Sequence, residues 1–313
     1  MTYTVTKHTG SHYLLSALPE WKQFPAVLKG NLRIKGSSTT NPVAVGDIVE
    51  ASVPENCNEQ NPATITAIKE RRNYVIRRSA NLSRQEHIIA ANVDRAFIVA
   101  TLDFPEVKLP FLDRILLTCE VYGIKATIIL NKCDLYSDEY YAERIADFKD
   151  IYETGAGYPV LLTSAKKGIG IDELRELCKD SVSLFSGVSG TGKSSLIKAL
   201  DPSLNPRTGE ISLSHLQGKH TTTFYEMYPL SSGGFIIDTP GIRGFGIVDV
   251  APEELPLYFP EMLELSRSCR FTPCTHTHEP GCAVKAALDE GSLRPERYNS
   301  YIGMLNENES KYR

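Results

Sequence analysis

The chain has 313 residues, 42% of them hydrophobic and 23% charged, with a net charge of −4. That length accommodates two or three domains, and the balance is that of a globular protein rather than a fibrous or disordered one. No run approaches the roughly 18 apolar residues of a membrane span, and the opening MTYTVTKHTG lacks a signal-peptide layout, so a cytoplasmic protein with no membrane role is expected. The charge is unevenly spread. Residues 1–85 hold eleven Lys/Arg against six Asp/Glu, which leaves −9 on the remainder. A basic N-terminal module on an acidic body is compatible with a polyanionic partner, and equally with an ordinary solvated surface.

Residues 1–75 contain short alternating runs (YLLSAL, NLRIK, DIVEASV, ATITAI) separated by turn residues such as Lys29-Gly30 and Gly46-Asp47. This spacing predicts a small β-barrel, either OB-like or SH3-like. The tract RRNYVIRRSANLSRQ over 71–85 reads as a charged linker. Beyond it the rhythm changes. Strand-like runs at 96–100, 126–130, 159–163, 182–186 and 235–238 alternate mostly with helix-like stretches such as 111–122, 139–152 and 193–200. That alternation predicts a mainly parallel sheet with helices on both faces, over 76–248. Residues 249–313 form a third region, a Pro-rich helical start followed by a Cys/His cluster and a helical tail.

Four of the five strand-like runs end directly at a chemical motif. Ligands of parallel α/β sheets bind outside the carboxyl ends of the strands, so the placement supports each motif. The run after 182–186 is Gly187-Val188-Ser189-Gly190-Thr191-Gly192-Lys193-Ser194, the full phosphate-loop pattern. Its glycines let backbone N–H groups curl around phosphates at a helix N-terminus. Lys193 is expected at the β- and γ-phosphates and Ser194 on Mg²⁺. Asn131-Lys132-Cys133-Asp134 ends another strand and has the guanine-specificity pattern. An Asp134 carboxylate accepts both guanine N1–H and the exocyclic amine, a donor pair that adenine lacks. Lys132 is expected along the base, with Asn131 tying its loop to the phosphate loop. Thr163-Ser164-Ala165-Lys166 resembles the second guanine loop, with the Ala165 N–H meeting guanine O6.

Asp238-Thr239-Pro240-Gly241 ends the last run. Asp238 is expected to hold Mg²⁺ through water, and the Gly241 N–H to sense the γ-phosphate. Ile242 follows, where many GTPases carry a water-orienting Gln. Between the phosphate loop and this motif lies Gly218-Lys219-His220-Thr221-Thr222-Thr223, where a first switch belongs. Thr222 is the favoured Mg²⁺ ligand among its threonines. His220 is a candidate for positioning the attacking water, or a surface histidine.

The motif order is reversed, since Asp134 precedes Gly187 by 53 residues. A circularly permuted GTPase domain accounts for it, because a sheet tolerates a different cut provided the new ends lie at the surface. The third region adds Cys269, Cys274, His276 and Cys282 within 14 residues. Three thiolates and an imidazole suit a closed, structural tetrahedral zinc site, with His278 an alternative ligand.

The order NKCD, SAK, GVSGTGKS, GKHTTT, DTPG and CRFTPCTHTHEPGC resembles the ribosome small-subunit-dependent GTPases, the RsgA or YjeQ family. TNPVAVGDIVE, TGEIS and RYNSYIGML also fit, so the resemblance covers nearly the whole chain. It implies an OB-fold RNA-binding domain over 1–75, a permuted GTPase domain over 76–248 and a zinc-binding helical domain over 249–313. It implies a monomer that uses GTP, Mg²⁺ and one Zn²⁺. It further implies a late maturation factor that binds the small ribosomal subunit and its 16S-type rRNA, with hydrolysis stimulated by the subunit and coupled to release. The family's zinc ligands fall on Cys269, Cys274, His276 and Cys282, and its lack of a catalytic Gln matches Ile242. Lys219 stands where many members have Arg. Arg33, Lys35, Arg71, Arg72, Arg77 and Arg78 are candidate RNA contacts.

Overall fold

A computed structural model describes residues 1–10, 12–30, 42–78, 86–204, 225–238 and 250–311. The N-terminal strands are β1 (Thr2–Thr9), β2 (His12–Ser16), β3 (Phe24–Leu28), β4 (Ile48–Ser52) and β5 (Ala63–Ile68). β1, β2 and β3 pair antiparallel in sequence order, β3 then pairs β5 in parallel, and β4 pairs both β5 and β1. The circuit β1-β2-β3-β5-β4-β1 closes a five-stranded barrel of OB type. The SH3-like alternative therefore falls away. Alternate residues fill its interior: Tyr13 and Leu15, Ala26 and Leu28, Ala63 and Ile65, with Val5 and Val49.

The tract expected to be a linker is instead part of a hairpin. β6 (Tyr74–Arg78) pairs antiparallel with β7 (Glu86–Ala91). Val75, Ile76 and Ile89 are buried in it. The charged flanks of 71–85 masked a short alternating run whose partner, EHIIAA, lies beyond the tract. The hairpin fastens the barrel to the start of the central domain. Gly46 adopts φ +91°, and a Cβ there would lie 2.0 Å from the Ala91 carbonyl oxygen. Arg71 donates to both carboxylate oxygens of buried Asp47, at 2.6 and 2.7 Å. Arg71, a candidate RNA contact, is thus committed to packing here. Arg72 pairs with Asp94 at 2.7 Å and stays largely exposed. Arg33 and Lys35 lie outside the described residues, as do the side chains of Arg77 and Arg78.

The central domain runs as β8 (Arg95–Ala100), α1 (Leu109–Val121), β9 (Lys125–Leu130), α2 (Glu139–Lys149), β10 (Val160–Leu162), α3 (Ile171–Cys178), β11 (Val182–Gly187), α4 (Lys193–Leu200), β12 (Tyr225–Pro229) and β13 (Phe235–Asp238). β10, β9, β8, β11 and β13 are parallel neighbours, and β12 pairs antiparallel at the end. Helices cover both faces, as expected. Along β8, Ala96, Ile98 and Ala100 face Leu112, Ile115 and Leu116 of α1, while Phe97 and Val99 face Leu196 and Ile197 of α4. β12 also pairs with β1, matching Glu226 to Lys7, so the barrel and the central domain share one 11-stranded sheet. Lys7 Nζ lies 3.0 Å from Glu226 Oε1.

The C-terminal region forms a 3₁₀ turn (Leu255–Tyr258), α5 (Pro260–Ser266), α6 (Ala283–Asp289) and α7 (Pro295–Lys311). Leu255, Phe259, Met262, Val284, Tyr301 and Met304 make its core, joined by Leu117 from α1. Among the described residues no helix is long and apolar enough to cross a membrane.

Candidate nucleotide and metal sites

β11 sits between β8 and β13, flanked on both sides by parallel strands. The residues after it therefore emerge among the loops after β8 and β9. Gly187 closes β11 at φ +150°, where a Cβ would lie 2.3 Å from the Val99 carbonyl oxygen. Val188, Ser189, Gly190 and Thr191 form the loop, with Ser189 and Gly190 exposed and Thr191 buried. The Thr191 hydroxyl donates to the Val188 carbonyl at 2.9 Å. Gly192 caps α4 at φ +94°, and a Cβ there would come 2.4 Å from Asn131 Nδ2. Lys193 folds over the loop, its Nζ 2.9 Å from the Gly187 carbonyl oxygen. Ser194 lies half-buried in the first turn of α4.

Asn131, at the end of β9, is buried and joins three loops. Its Nδ2 donates to the Thr191 carbonyl at 2.8 Å, and its Oδ1 accepts from Thr163 Oγ1 at 3.0 Å. Lys132 takes a left-handed backbone at φ +65°. Its ammonium donates to the Gly190 carbonyl at 2.7 Å and to the Phe104 carbonyl. Burial lowers the Lys132 pKa, and the Asp134 charge opposes that shift. Asp134 sits in a single 3₁₀ turn, Cys133–Leu135, and accepts from Ser164 Oγ at 2.6 Å. The Ser164 hydroxyl in turn accepts from the Lys167 N–H at 3.1 Å, and Ala165 lies half-buried within this turn. The residues read as guanine-facing and phosphate-facing thus form one hydrogen-bonded surface.

Asp238 is the last residue of β13, paired with Phe185 of β11, beside the strand that leads into the phosphate loop. Its side chain is outside the described part of the structure, as are His220, Thr222, Gly241 and Ile242. One contributor was missed in the motif reading. Thr101–Val107, after β8, carries none of the nucleotide-binding motifs, yet Phe104 and Pro105 touch Lys132 and Gly190. Its position after a parallel strand was the available signal.

Cys269, Cys274, His276 and Cys282 bring one ligand atom each to within 4.8 Å of one another. Cys269 Sγ lies 4.0 Å from Cys282 Sγ and 3.7 Å from His276 Nδ1, which is 3.3 Å from Cys282 Sγ. A tetrahedron with metal–sulfur bonds near 2.3 Å has edges of about 3.8 Å, so the donor set fits zinc in number, softness and spacing. His278 stays outside the cluster, exposed, with Nδ1 2.9 Å from Thr277 Oγ1.

Hydrogen bonds also hold the Cys/His knuckle over 274–282. Tyr298 and Tyr301 of α7 donate to the His276 and Thr275 carbonyls at 2.8 and 2.6 Å. The Glu279 carboxylate accepts from Thr275 N–H and Oγ1 at 2.7 and 2.6 Å and from Thr277 N–H at 3.0 Å. Burial opposes its ionisation, but the hydrogen bonds from Thr275, Thr277 and its own backbone N–H together outweigh it and bring the carboxyl down to about 2.

The family model for the RsgA GTPase matches residues 68–248. The chain belongs to the RsgA GTPase family. The small ribosomal subunit biogenesis GTPase RsgA of Flavobacterium johnsoniae is 46% identical over 314 residues, covering 100% of this chain and 95% of the relative. Its counterpart from Bacteroides fragilis is 46% identical over 310 residues, covering 99% and 98%. Among solved structures, the crystal structure of YjeQ from Thermotoga maritima matches with a TM-score of 0.78 and 31% identity, over 98% of each chain. YloQ, a circularly permuted GTPase, matches at 0.75 and 27%, over 99% of this chain and 95% of that one. The chain is accordingly a GTP-hydrolysing enzyme with a circularly permuted GTPase domain.

Proposed function

We propose that this GTPase acts late in maturation of the small ribosomal subunit, binding the subunit and its 16S-type rRNA. It works as a cytoplasmic monomer with no membrane role. Subunit binding accelerates hydrolysis, and conversion to GDP releases the enzyme. The relatives' role in small ribosomal subunit biogenesis supports the choice of partner. The observation that carries the nucleotide reading is the Asn131–Thr191 hydrogen bond, which unites loops read as guanine- and phosphate-binding across 60 residues of inverted sequence.

In this reading Asn131, Lys132, Asp134, Ser164 and Ala165 bind guanine, and residues 187–194 cradle the phosphates. Ser194 and Thr222 ligate Mg²⁺, with Asp238 acting through water. Gly241 senses the γ-phosphate, and His220 orients the attacking water in place of an amide at Ile242. The zinc site is structural, since Cys269, Cys274, His276 and Cys282 fill all four positions and leave none for substrate. Zinc bound there would cross-link the knuckle whose rim packs on α7. The domains divide as a barrel over 1–75, a GTPase over 76–248 and a zinc domain over 249–313. The 75/76 boundary falls inside β6, so the hairpin belongs to both neighbours.

GTP turnover measured with and without purified small ribosomal subunits tests the proposal. Strong acceleration is expected, and turnover indifferent to the subunit would refute it. A nonhydrolysable GTP analogue should also tighten subunit binding relative to GDP. By linkage the subunit then tightens the GTP form by the same factor.

A further inference from the structure

The loop Thr101–Val107 leaves β8 at the same edge of the sheet as the phosphate and guanine loops. It touches both. The Phe104 carbonyl accepts from Lys132 Nζ, the same ammonium that donates to the Gly190 carbonyl at 2.7 Å. Pro105 packs beneath Gly190, where an added Cβ would lie 3.3 Å from Pro105 Cδ. Thr101 Oγ1 closes the loop on the Pro105 carbonyl at 2.5 Å.

The loop does not hold this shape alone. Phe104 adopts φ +61°, a region that aromatic residues rarely enter. The residue is 67% exposed, so burial is not what fixes the backbone there. The brace comes from α2 and the turn before it. Arg144 donates to Asp103 Oδ2 at 2.6 Å and to the Leu102 carbonyl at 3.1 Å. Tyr141 donates its hydroxyl to the same carboxylate at 3.0 Å, and the Tyr136 hydroxyl accepts from the Leu102 N–H at 3.0 Å. Asp103 thus links the residue before Phe104 to a helix.

We propose that Arg144 and Asp103 are positioning residues for guanine-nucleotide binding: they fix the Thr101–Val107 loop so that the Phe104 carbonyl aims Lys132. This rests on the reading of Lys132 and Asp134 as guanine-binding residues. The mechanism is pre-organisation. A lysine ammonium has three donors on a flexible stem. Two carbonyls, one from each side, hold that stem in a single line along the guanine loop. With one carbonyl lost, the ammonium re-solvates and the stem regains its rotamers, so ordering it must be repeated at each binding event. The contact lies on the base side of the site and is blind to the γ-phosphate. It therefore contributes equally to GTP, GDP and the transition state, which raises KM on removal and leaves kcat unchanged.

The test uses the purified full chain with fluorescent GDP and a nonhydrolysable GTP analogue, alongside steady-state kinetics. Arg144→Gln and Asp103→Asn should each weaken both nucleotides about tenfold, as expected for loss of a charged hydrogen bond. The double variant should lose no more than either single one, because the two act as a unit. Arg144→Lys, which keeps the charge without the fork, should fall between. Lys149→Gln, which breaks an exposed ion pair with Glu153 at the far end of the same helix, should stay within about twofold of the parent. KM should rise with kcat unchanged. A purely structural role would instead lower the unfolding midpoint and leave KM alone. Parental affinity in both single variants, additive losses, or a Lys149→Gln loss equal to that of Arg144→Gln would overturn the inference. Failure of the parent itself to prefer guanine over adenine nucleotides would overturn the site reading beneath it, and is distinguishable from the rest.

Discussion

Arg297 of α7 donates to Asp113 of α1 at 2.6 Å, and both side chains are almost wholly removed from solvent. The same guanidinium reaches Glu261 of α5 at 2.6 Å and lies 4.8 Å from the centre of the Phe259 ring. Tyr152 completes the cluster by donating to Asp113 at 2.9 Å. Burial pushes the Asp113 carboxyl up, with the Arg297 charge opposing it. This cluster joins the region of the Cys/His cluster to the first helix of the GTPase domain.

Arg297→Met keeps much of the side-chain bulk and strands two buried carboxylates. Breaking a buried pair from one side costs about 3–5 kcal/mol, because a charge is left uncompensated. Denaturant unfolding should show that loss, with the C-terminal region melting before the GTPase domain. Unchanged unfolding would mean that apolar packing alone carries the junction.

Nucleotide choice should rest on Asp134. Replacement by Asn exchanges one acceptor for a donor, which suits the carbonyl at xanthine position 2. GTP binding should weaken and binding of xanthosine triphosphate should improve. Ser164, which donates to this carboxylate, can donate equally to the amide oxygen, so the local fold should survive. Unaltered GTP affinity in Asp134→Asn would remove the residue from the base site.

Metal analysis of protein purified without chelator should find about one zinc per chain, from a single closed four-ligand site. Cys274→Ser should lose it and loosen 250–311. The GTPase domain should keep its nucleotide affinity, since the C-terminal core takes Leu117 and Val121 of α1 from that domain and no residue of a nucleotide loop. Absence of metal in the parent protein would defeat the assignment.

Hydrolysis without the subunit should be slow, because Ile242 offers no amide to orient water. His220→Ala should lower the subunit-stimulated rate far more than it lowers GTP affinity, as befits a group acting in the transition state. Equal stimulated rates in variant and parent would return His220 to an ordinary surface role.

Much of this protein is legible locally. The phosphate loop needs glycines at Gly187 and Gly192 because a Cβ at either would collide with Val99 or Asn131. A requirement of that kind leaves its mark on consecutive residues. The five strand-like runs of the GTPase domain became β8, β9, β10, β11 and β13, because short apolar stretches covered on both faces carry their own signal. The three cysteines and His276 share 14 residues, so their spacing alone marked a donor set that suits a metal.

Partner choice over long distances left no such mark, and there tertiary structure decided. OB-like rather than SH3-like closure depends on β3 pairing β5 in parallel, which an alternating pattern does not encode. The 71–85 tract looked like a linker until β7 supplied its other strand. β12 joins β1 through residues 219 apart, Lys7 and Glu226, a pairing that no local pattern encodes. The brace from Arg144 to Asp103 spans 41 residues, and the one from Arg297 to Asp113 spans 184. Each depends on two helices or loops being brought together by packing, and a charged side chain reads the same in sequence whether it faces water or a buried partner.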